Sequence, residues 1–356
     1  MKDFSQVIEH LSERAEQAPH MVQAMIELTY GCNLRCVHCY NPTHQARNEL
    51  TEKEICGLLD QLADQGCLWV GFTGGELFTR KDALTIMRHA RSRGIVVSIL
   101  TNATLISSGL ADQIQALEPF QLDISVYGAT AATYEKVTGV PGSFQQFVKG
   151  VDRLMERRLP VFLKLIMMTL NIHELALMRQ FAESRGLPYR VDSEIHPRVD
   201  GSREPLAYRL SPKQSFELWR QESARGKPDP SAAPQNSCGS AGRLFECMCG
   251  KSNAAVTPHG KLNLCLSIYH PLLDLKEISL AEGWKKLVHL VASARPGLTY
   301  ECERCDVAVH CTRGSSDGWL EQKAFDAPCL PHFKEVAEMK SQYLERRSPI
   351  HGKNRT

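Results

Sequence analysis

Six short apolar runs between residues 24 and 195 alternate with segments of helical periodicity. The runs are rich in β-branched and large apolar residues, as strands buried on both faces should be. They are AMIELTY (24–30), LWVGFTG (68–74), IVVSILT (95–101), FQLDISVYG (120–128), VFLKLIMMT (161–169) and YRVDSEI (189–195). Six strand–helix repeats predict an α/β fold with a parallel sheet, most simply a partial (β/α)6 TIM-like barrel.

The first segment between these strands, TEKEICGLLDQLADQG (51–66), carries helix start and stop signals. Thr51 and Glu54 form a candidate capping box, and Gly66 is a candidate C-terminal stop. A helix is therefore predicted between the first two strands.

Beyond residue 225 the alternation stops. GKPDPSAAPQNS (226–237) predicts a linker or surface loop, NAAVTPHGKLNLC (253–265) a β-hairpin, and AEGWKKLVHLVASA (281–294) a helix. Apolar residues are sparse here, so a small, loop-rich and cysteine-rich domain that depends on metal is expected. The predicted organisation is a helical extension (1–23), the barrel (24–225), the cysteine-rich domain (226–335) and a C-terminal helix or tail (336–356).

Composition and charge are those of an ordinary globular protein. The 356 residues are 43% hydrophobic and 23% charged, with a formal net charge of +2. No basic run stands out, so no nucleic-acid partner is expected. No apolar run approaches the length of a membrane span, so no membrane partner is expected either. The first residues do not resemble a signal peptide, and the cytoplasm is the expected location.

Thirteen cysteines are the unusual feature of the composition. In a reducing compartment, clustered cysteines indicate metal ligation or redox chemistry rather than structural disulfides. Five occur up to Cys67, none follows until Cys238, and eight lie between Cys238 and Cys329. The sequence therefore predicts two separate metal-binding regions.

Cys32, Cys36 and Cys39 directly follow the first predicted strand and Gly31. Loops at the C-terminal ends of barrel strands are where active sites are built. Three thiolates can hold three irons of a [4Fe–4S] cluster and leave the fourth iron open to a substrate or cofactor. The alternative is a zinc site completed by His38 or by a distant residue.

The stretch CNLRCVHCY resembles the CxxxCxxC signature of radical S-adenosylmethionine (SAM) enzymes. The resemblance implies that the amino and carboxylate groups of SAM chelate the open iron. His38 occupies the position at which the family usually has an aromatic ring near the adenine; the alternative is a solvent-facing loop residue. The implied chemistry is reductive cleavage of SAM to a 5′-deoxyadenosyl radical, which abstracts hydrogen from a substrate. A reductant such as flavodoxin or ferredoxin is the implied partner.

In FTGGE, the residues Gly74, Gly75 and Glu76 end the second predicted strand. Two glycines let the backbone approach a ligand closely, and carbonyls plus a carboxylate can hold an ammonium group. This stretch resembles the GGE motif of the same family, which implies contact with the SAM amine.

Polar residues at later strand ends extend the resemblance. Thr101 and Asn102 stand where the family reads TNG, with Ala103 in place of the glycine. Ser125 lies in a stretch similar to the family's ISxDG, with Tyr127 in place of the aspartate, and is a candidate donor to SAM. The alternative role of these polar residues is strand-end capping.

Three charged residues complete the set of candidate cofactor contacts. Where many relatives have an arginine before a glycine, this sequence has Thr138. Lys136 and Lys164 are therefore the candidates for a carboxylate clamp, unless the clamp is absent. Glu194 follows the sixth strand and is a candidate contact for adenosine or substrate. The alternatives are solvated surface lysines and a structural ion pair.

The second cysteine region contains two informative spacings. Cys249, Gly260 and Cys265 form C-x10-G-x4-C, and Cys302, Cys305 and Cys311 form C-x2-C-x5-C. This series is similar to the SPASM domain appended to many radical SAM enzymes, which carries one or two auxiliary iron–sulfur clusters. A zinc knuckle is the alternative for the C-x2-C spacing.

By this resemblance, Cys329 joins the C-x2-C-x5-C cysteines as ligands of the outer auxiliary cluster. Ser315 stands where the inner cluster usually has a cysteine. Four other thiols could supply the inner site: Cys238, Cys247, Cys249 and Cys265. The remaining Cys56 and Cys67 are expected as small buried core residues.

Resemblance to SPASM enzymes points first to a peptide or protein substrate that is cross-linked or oxidised at a side chain. Some 23 residues precede the first strand, too few for a fused recognition domain. A ribosomal peptide would then need a separate peptide-recognition protein as a partner, or the core would bind it directly. The alternative enzyme tailors a small cofactor or tetrapyrrole. From a different class, a non-catalytic iron–sulfur or zinc-binding protein remains open.

Overall fold

The computed structural model describes most of the chain. The described residues are 11, 14–15, 17–41, 43–226 and 243–347. Most of the predicted extension (1–23), most of the predicted linker, Cys238 and the last residues of the predicted tail lie outside them. Within these ranges, no helix combines the length and the hydropathy that a membrane crossing needs.

All six predicted strands form, and they pair in parallel in the order of the sequence. They are β1 Gln23–Glu27, β2 Trp69–Thr73, β3 Val96–Thr101, β4 Gln121–Val126, β5 Val161–Ile166 and β6 Tyr189–Asp192. β6 is one edge of the sheet, so hydrogen bonds do not close it into a full barrel. The predicted α/β fold with a partial barrel is confirmed.

The predicted hairpin of residues 253–265 is also present, and it extends the same sheet. β7 Asn253–Val256 pairs in parallel with β1, and β8 Lys261–Asn263 pairs antiparallel with β7. The short β9 Leu273–Asp274 follows antiparallel to β8 and forms the other edge. β1 is therefore an interior strand with β2 on one side and β7 on the other.

Helices connect the parallel strands. They are α1 Glu52–Asp64, α2 Ala83–Ser92, α3 Ser108–Leu117, α4 Ala131–Thr138, α5 Ser143–Glu156 and α6 Leu175–Glu183. The capping box of α1 is confirmed, because the Thr51 hydroxyl accepts from the Glu54 N–H at 3.3 Å while the Thr51 N–H donates to the Glu54 carboxylate at 2.7 Å. Gly66, with φ +80°, follows the last turn.

The core of the sheet consists of the apolar runs on which the strand predictions rest. Val70 and Phe72 of β2 and Ile99 of β3 are completely buried, as are Phe147 and Leu154 on the inner face of α5. A strand covered on both faces needs apolar residues at successive positions, which explains the continuous runs.

Contacts divide the chain into two compact units. The first contains the chain up to Arg209 together with Met248–Ser293, and the second contains Leu210–Cys247 and the chain from Ala294 onward. The hairpin and α8 Leu280–Ser293 therefore belong to the first unit, although they follow the predicted linker in sequence.

The described part of the second unit contains three α-helices, α7 Pro212–Ala224, α9 Ser315–Gln322 and α10 Pro331–Arg347. Trp219 of α7 lies edge-on to Tyr343 of α10, with ring centres 6.0 Å apart, and the Lys340 Nζ lies 5.1 Å from the Trp219 ring centre. Aromatic and cation–π packing thus joins the helix before residues 227–242 to the helix near the C-terminus.

Candidate active site

A cavity of about 290 Å³ lies at the C-terminal ends of the parallel strands. All six strands contribute to its wall, either through their last residues or through the loops that follow. The side chains at this end include most of the residues that the sequence singles out. They are Cys32, Cys36, His38, Cys39, Gly74, Gly75, Thr101, Asn102, Asp123, Ser125, Tyr127, Lys164 and Glu194.

The loop that carries the three cysteines is anchored to α4. The Arg35 N–H donates to the Thr138 carbonyl at 2.8 Å, and the Val37 N–H donates to the Val137 carbonyl at 3.0 Å. Leu34, directly before Arg35, is buried at 1% exposure. Backbone pairing on both sides of Cys36 therefore holds this loop over the cavity.

Burial keeps the three thiols neutral in the absence of a metal. It raises the pKa of Cys32 to about 11 and raises the pKa of Cys36 and Cys39 as well, with their mutual repulsion adding to the effect at Cys36. A bound cation would reverse this, because metal ligands must be deprotonated and the positive charge stabilises the thiolate. Three soft donors in one wall fit an iron–sulfur cluster.

Over the described ranges, no three His, Cys, Asp or Glu side chains are arranged to hold a single metal ion. The three cysteines therefore suit an iron–sulfur cluster because they are thiols, and not because their sulfurs already have the geometry of bound ligands. Two buried ring nitrogens at the same cavity support it: Nδ1 of His38 and Nε2 of His44 have no hydrogen-bond partner. Buried polar atoms are normally paired, so these two indicate a missing polar ligand.

His38 itself is packed inside the cavity wall. Its ring centre lies 5.0 Å from that of Tyr127, and burial lowers its pKa to about 4, so the imidazole is neutral. Tyr127, which stands where the resemblance expects an aspartate, is a neutral residue here. The solvent-facing alternative for His38 does not fit this position.

Gly74 and Gly75 bring the end of β2 against the backbone of the cysteine loop. The Gly75 N–H donates to the Thr29 carbonyl at 2.6 Å, and the Glu76 N–H donates to the Gly31 carbonyl at 2.8 Å. A Cβ on Gly75 would lie 2.3 Å from the Gly31 oxygen, and Gly74 has φ +147°. The two glycines thus allow the two backbone segments to approach closely, and they also line the cavity.

Glu76 is not among the residues that line the cavity. Its carboxylate accepts from the Thr101 hydroxyl and the Asn102 N–H, both at 2.8 Å, and from the Phe78 N–H at 3.2 Å. Burial raises its pKa, and these hydrogen bonds oppose the rise. The side chain therefore fixes the end of β3 to the end of β2 in this structure.

Asn102 links the β3 end to the cysteine loop through residues that the sequence analysis missed. Its Nδ2 donates to Asn33 Oδ1 at 3.1 Å, its Oδ1 accepts from the Thr104 hydroxyl at 2.6 Å, and Asn33 Nδ2 donates to Thr104 Oγ1 at 2.8 Å. Ala103, at the glycine position of the resemblance, has φ +61°. Asn33 lies inside the CxxxCxxC stretch, which was the available signal.

Lys164 and Asp123 face each other on neighbouring strands. The Lys164 Nζ lies 3.5 Å from Asp123 Oδ1, and both side chains are at most 17% exposed. Burial lowers the pKa of Lys164, and the nearby carboxylate partly offsets this. Lys136, by contrast, is exposed on α4 and is not part of the cavity wall.

Glu194 lies at the cavity mouth with a side chain that is 64% exposed. Its Oε2 lies 3.7 Å from His196 Nε2, so an ion pair forms there when the imidazole is protonated. The structure thus contains the ion pair that was the alternative for this residue, at a position still open to a ligand.

A buried carboxylate under the cysteine loop was missed by the sequence analysis. Glu27 at the end of β1 is 2% exposed and accepts from the Tyr40 hydroxyl at 2.7 Å and the Tyr269 hydroxyl at 2.5 Å. Tyr40 directly follows Cys39, so this carboxylate ties the end of the loop to β1 and to the segment after β8. A charged residue within an apolar strand run was the signal that could have found it.

Because Glu27 is buried, we expect the free energy of unfolding to fall as the pH rises. Burial raises the pKa of Glu27 from 4.5 to about 7, so between these values the folded chain binds more protons than the unfolded chain, and its free energy of unfolding decreases. Glu27→Gln removes this loss. We expect the variant to gain about 3 kcal/mol relative to the wild type between pH 4 and pH 8, measured by chemical denaturation. A difference that stays constant with pH would contradict the assignment.

Four cysteines line a second cavity, of about 570 Å³, within the second unit. Cys302 begins one short 3-10 helix, and Cys305 directly follows it. Cys311 follows a second 3-10 helix, and Cys329 precedes α10. Burial raises the pKa of Cys311 to about 11. The four cysteines that the resemblance assigns to one auxiliary site are thus brought together.

The other cysteines are distributed differently. Cys247 ends a segment of the second unit, while Cys249 and Cys265 belong to the first. Cys67 is buried, which confirms its interpretation as a core residue, but Cys56 is only partly buried on α1 because it lies beside the buried stripe of that helix. None of the twelve described cysteines forms a disulfide.

Ser315, at the position of the expected inner-cluster cysteine, is a structural residue here. Its side chain is 6% exposed, and its hydroxyl donates to the Leu244 carbonyl. The hydroxyl therefore fixes the start of α9 to the segment that precedes Cys247.

Two curated relatives each match a little less than half of the chain. An AdoMet-dependent heme synthase of Methanosarcina barkeri is 31% identical over 162 residues, which are 45% of this chain and 46% of the relative. A PqqA peptide cyclase of Bradyrhizobium diazoefficiens is 28% identical over 171 residues, which are 48% of this chain and 45% of the relative. The match therefore spans less than half the length of each relative.

Solved structures match most of the chain. SuiB of Streptococcus suis, in a crystal structure with S-adenosylmethionine, has a TM-score of 0.69 at 15% identity and covers 92% of this chain and 81% of its own. Native anSMEcpe with bound AdoMet has a TM-score of 0.67 at 13% identity, over 91% of this chain and 96% of its own. At these identities the likeness shows the fold alone.

The family comparison agrees with the cavity and the fold. The radical SAM superfamily model matches residues 26–182, from the first strand to the sixth helix. This range contains the three cysteines and both glycines of the cavity. The chain therefore carries a radical SAM superfamily domain over residues 26–182.

Proposed function

We propose that this chain is a radical SAM enzyme that removes a hydrogen atom from a peptide or protein substrate. The observation that carries the proposal is one cavity, at the C-terminal ends of six parallel strands, that contains Cys32, Cys36 and Cys39 beside Gly74 and Gly75. Because the matched relatives extend well beyond the match, the activity of the whole chain remains a proposal.

The three thiols would hold a [4Fe–4S] cluster with one open iron, to which the amino and carboxylate groups of SAM would bind. When bound, the cluster and SAM would supply a 5′-deoxyadenosyl radical after transfer of one electron from a reductant such as flavodoxin or ferredoxin. Of the chain's own residues, Thr101, Asn102 and Ser125 are proposed to contact SAM from the strand ends.

Other residues of the site would orient the bound nucleoside or fix the strand ends around it. The unpartnered nitrogens of His38 and His44 would take hydrogen bonds from the bound nucleoside, and the neutral imidazole of His38 can pack against its base. Glu76 would act by fixing the strand ends rather than by direct contact alone. Lys164, held by Asp123, would meet a carboxylate, whereas the exposed Lys136 is not proposed for this role.

A peptide or protein is the substrate class that we propose first. Two observations support it: the PqqA peptide cyclase relative, and the fold shared with SuiB, which has been solved with its precursor peptide SuiA, and with anSMEcpe, solved with a peptide. The reaction would be a cross-link or a side-chain oxidation, with a separate recognition protein as a possible partner. We place it in the cytoplasm, where thiols remain reduced.

A second candidate function is tailoring of a tetrapyrrole. The observation that favours it is the identity of 31% to a heme synthase, which is higher than the 28% identity to the peptide cyclase. The carboxylates of such a substrate would be met by Lys164 at the cavity and His196 at its mouth. The two functions differ in what they consume, so a substrate assay separates them.

The cysteine-rich part would add an auxiliary site of SPASM type. Cys302, Cys305, Cys311 and Cys329 line one cavity and would hold an iron–sulfur cluster that accepts an electron from the substrate. An inner cluster would need Cys238, Cys247, Cys249 and Cys265, because Ser315 is engaged with Leu244.

Anaerobic purification followed by iron, sulfide and zinc analysis tests the proposal. We expect iron and acid-labile sulfide in equal amounts, little zinc, and release of 5′-deoxyadenosine when SAM and a strong reductant are added. Release that is stimulated by peptide but not by porphyrin would favour the first substrate class. A fully iron-loaded sample that releases none, with or without substrate, would refute the proposal; zinc in place of iron would favour the scaffold alternative.

A further inference from the structure

A buried arginine stands among the four thiols of the second cavity. Arg313 is 1% exposed, although its neighbours at the cavity include exposed side chains such as Arg304. Its Nη1 donates to Cys302 Sγ at 2.9 Å and its Nη2 donates to the Ala327 carbonyl at 2.6 Å. The guanidinium is therefore held in one orientation, with one donor directed at a cysteine sulfur.

The hydrogen bond from this guanidinium to Cys302 depends on the charge of the sulfur. A neutral thiol is only a weak acceptor. Cys302 becomes a strong acceptor when it is a thiolate, which is the state of a cysteine that ligates a metal. The pair is thus suited to a Cys302 that serves as a ligand.

The surrounding backbone preserves the space that the guanidinium needs. A Cβ on Gly318 of α9 would lie 2.9 Å from Arg313 Nη2 and 2.8 Å from the Ala324 carbonyl. The start of α9 is fixed by the Gly314 N–H, which donates to Asp317 at 2.7 Å. Arg313 is therefore built into the fold of this unit rather than placed there by a flexible side chain.

We propose that Arg313 is a positioning residue that raises the reduction potential of an iron–sulfur cluster held by Cys302, Cys305, Cys311 and Cys329. The inference rests on the auxiliary site proposed above. Reduction adds negative charge to a cluster, and both a nearby cation and a hydrogen bond to a ligand sulfur stabilise the reduced form more than the oxidised form. A cluster tuned in this way is better able to accept an electron.

Substitutions in the full-length chain test this role. Cys32, Cys36 and Cys39 are first replaced by alanine, so that the remaining iron reports on the cysteine-rich part alone. Arg313→Met removes the charge and the hydrogen bond, and Arg313→Lys keeps the charge but cannot reach both partners in the same way. Arg304→Met is the matched control, because it removes an exposed charge from the same cavity.

The readouts are iron and sulfide content and the midpoint potential from a redox titration followed by electron paramagnetic resonance. We expect Arg313→Met to disfavour reduction by on the order of tenfold, because a hydrogen bond to a charged group is lost; for a one-electron couple this is a shift of about 59 mV to lower potential. Arg313→Lys should fall between this variant and the parent, and Arg304→Met should stay close to the parent.

Four results would overturn the inference, and they are distinguishable. A loaded Arg313→Met cluster with the parent's potential removes the redox role. If Arg313→Met does not retain iron, an iron-loaded Arg313→Lys protein with the parent's potential also removes the redox role. Loss of iron from both variants shows that Arg313 has a structural role only. A triple-alanine parent without iron refutes the auxiliary site itself, and the inference falls with it.

Discussion

Cys36→Ala should reduce the release of 5′-deoxyadenosine to the background of a sample without enzyme. Cys36 is the central cysteine of the anchored loop, and three thiolates are the fewest that hold three irons of the cluster. Without its thiolate, the open iron that would bind SAM is not maintained. Product release is measured by chromatography after reduction in the presence of SAM, alongside iron and sulfide content.

Cys56→Ala provides the matched control. Cys56 is partly buried on α1 and is not among the residues that line either cavity. Its substitution should leave both iron content and product release near those of the wild type. Retention of full product release by Cys36→Ala would contradict the assignment of the site, whereas equal losses in both variants would indicate that any lost thiol impairs folding.

Gly75→Ala should separate the end of β2 from the cysteine loop. The added Cβ would lie 2.3 Å from the Gly31 carbonyl oxygen and 2.7 Å from that of Tyr30, and these are backbone atoms that cannot rotate away. Overpacking of this kind typically costs about 1–3 kcal/mol, occasionally more. We expect a lower melting temperature and a loss of SAM binding, measured by thermal unfolding and by calorimetric titration of the reconstituted protein.

Gly57→Ala is the control for this experiment. Gly57 lies inside α1, and a Cβ there would meet no atom within 4 Å. The same chemical change should therefore stabilise the helix by about 0.5–1 kcal/mol and leave SAM binding unchanged. If Gly75→Ala binds SAM as tightly as Gly57→Ala does, the close approach of the two loops is not needed for the cofactor.

The sequence predicts the sheet well because its strands are buried on both faces. Burial requires continuous apolar runs such as the one around Phe72 and Val70, and the helix signals at Thr51 and Glu54 are local. Parallel connection then places all strand ends on one side, so the residues after each strand share one cavity. Local patterns and the parallel topology are therefore sufficient to predict the sheet, the first helix and the position of the cavity.

Contacts between distant segments are the part that the sequence does not predict. The hydrogen bond from Tyr269 to Glu27 joins residues 242 positions apart, and no periodicity indicates it. Glu76 was expected to face a ligand, but it is turned toward Asn102, because the buried strand end has donors that need an acceptor. Lys136 was a candidate for the cavity, yet its position on α4 leaves it in solvent.

The parallel pairing of β7 with β1 has a consequence for where this protein can be divided. The sixth strand–helix repeat suggests a natural end near residue 225, but a fragment that stops there lacks the strand that covers one side of β1. Amide and carbonyl groups along the strand that leads into the cysteine loop would then have no partner. Such an exposed edge strand favours self-association. Any shortened version that is meant to remain functional has to retain residues 248–293.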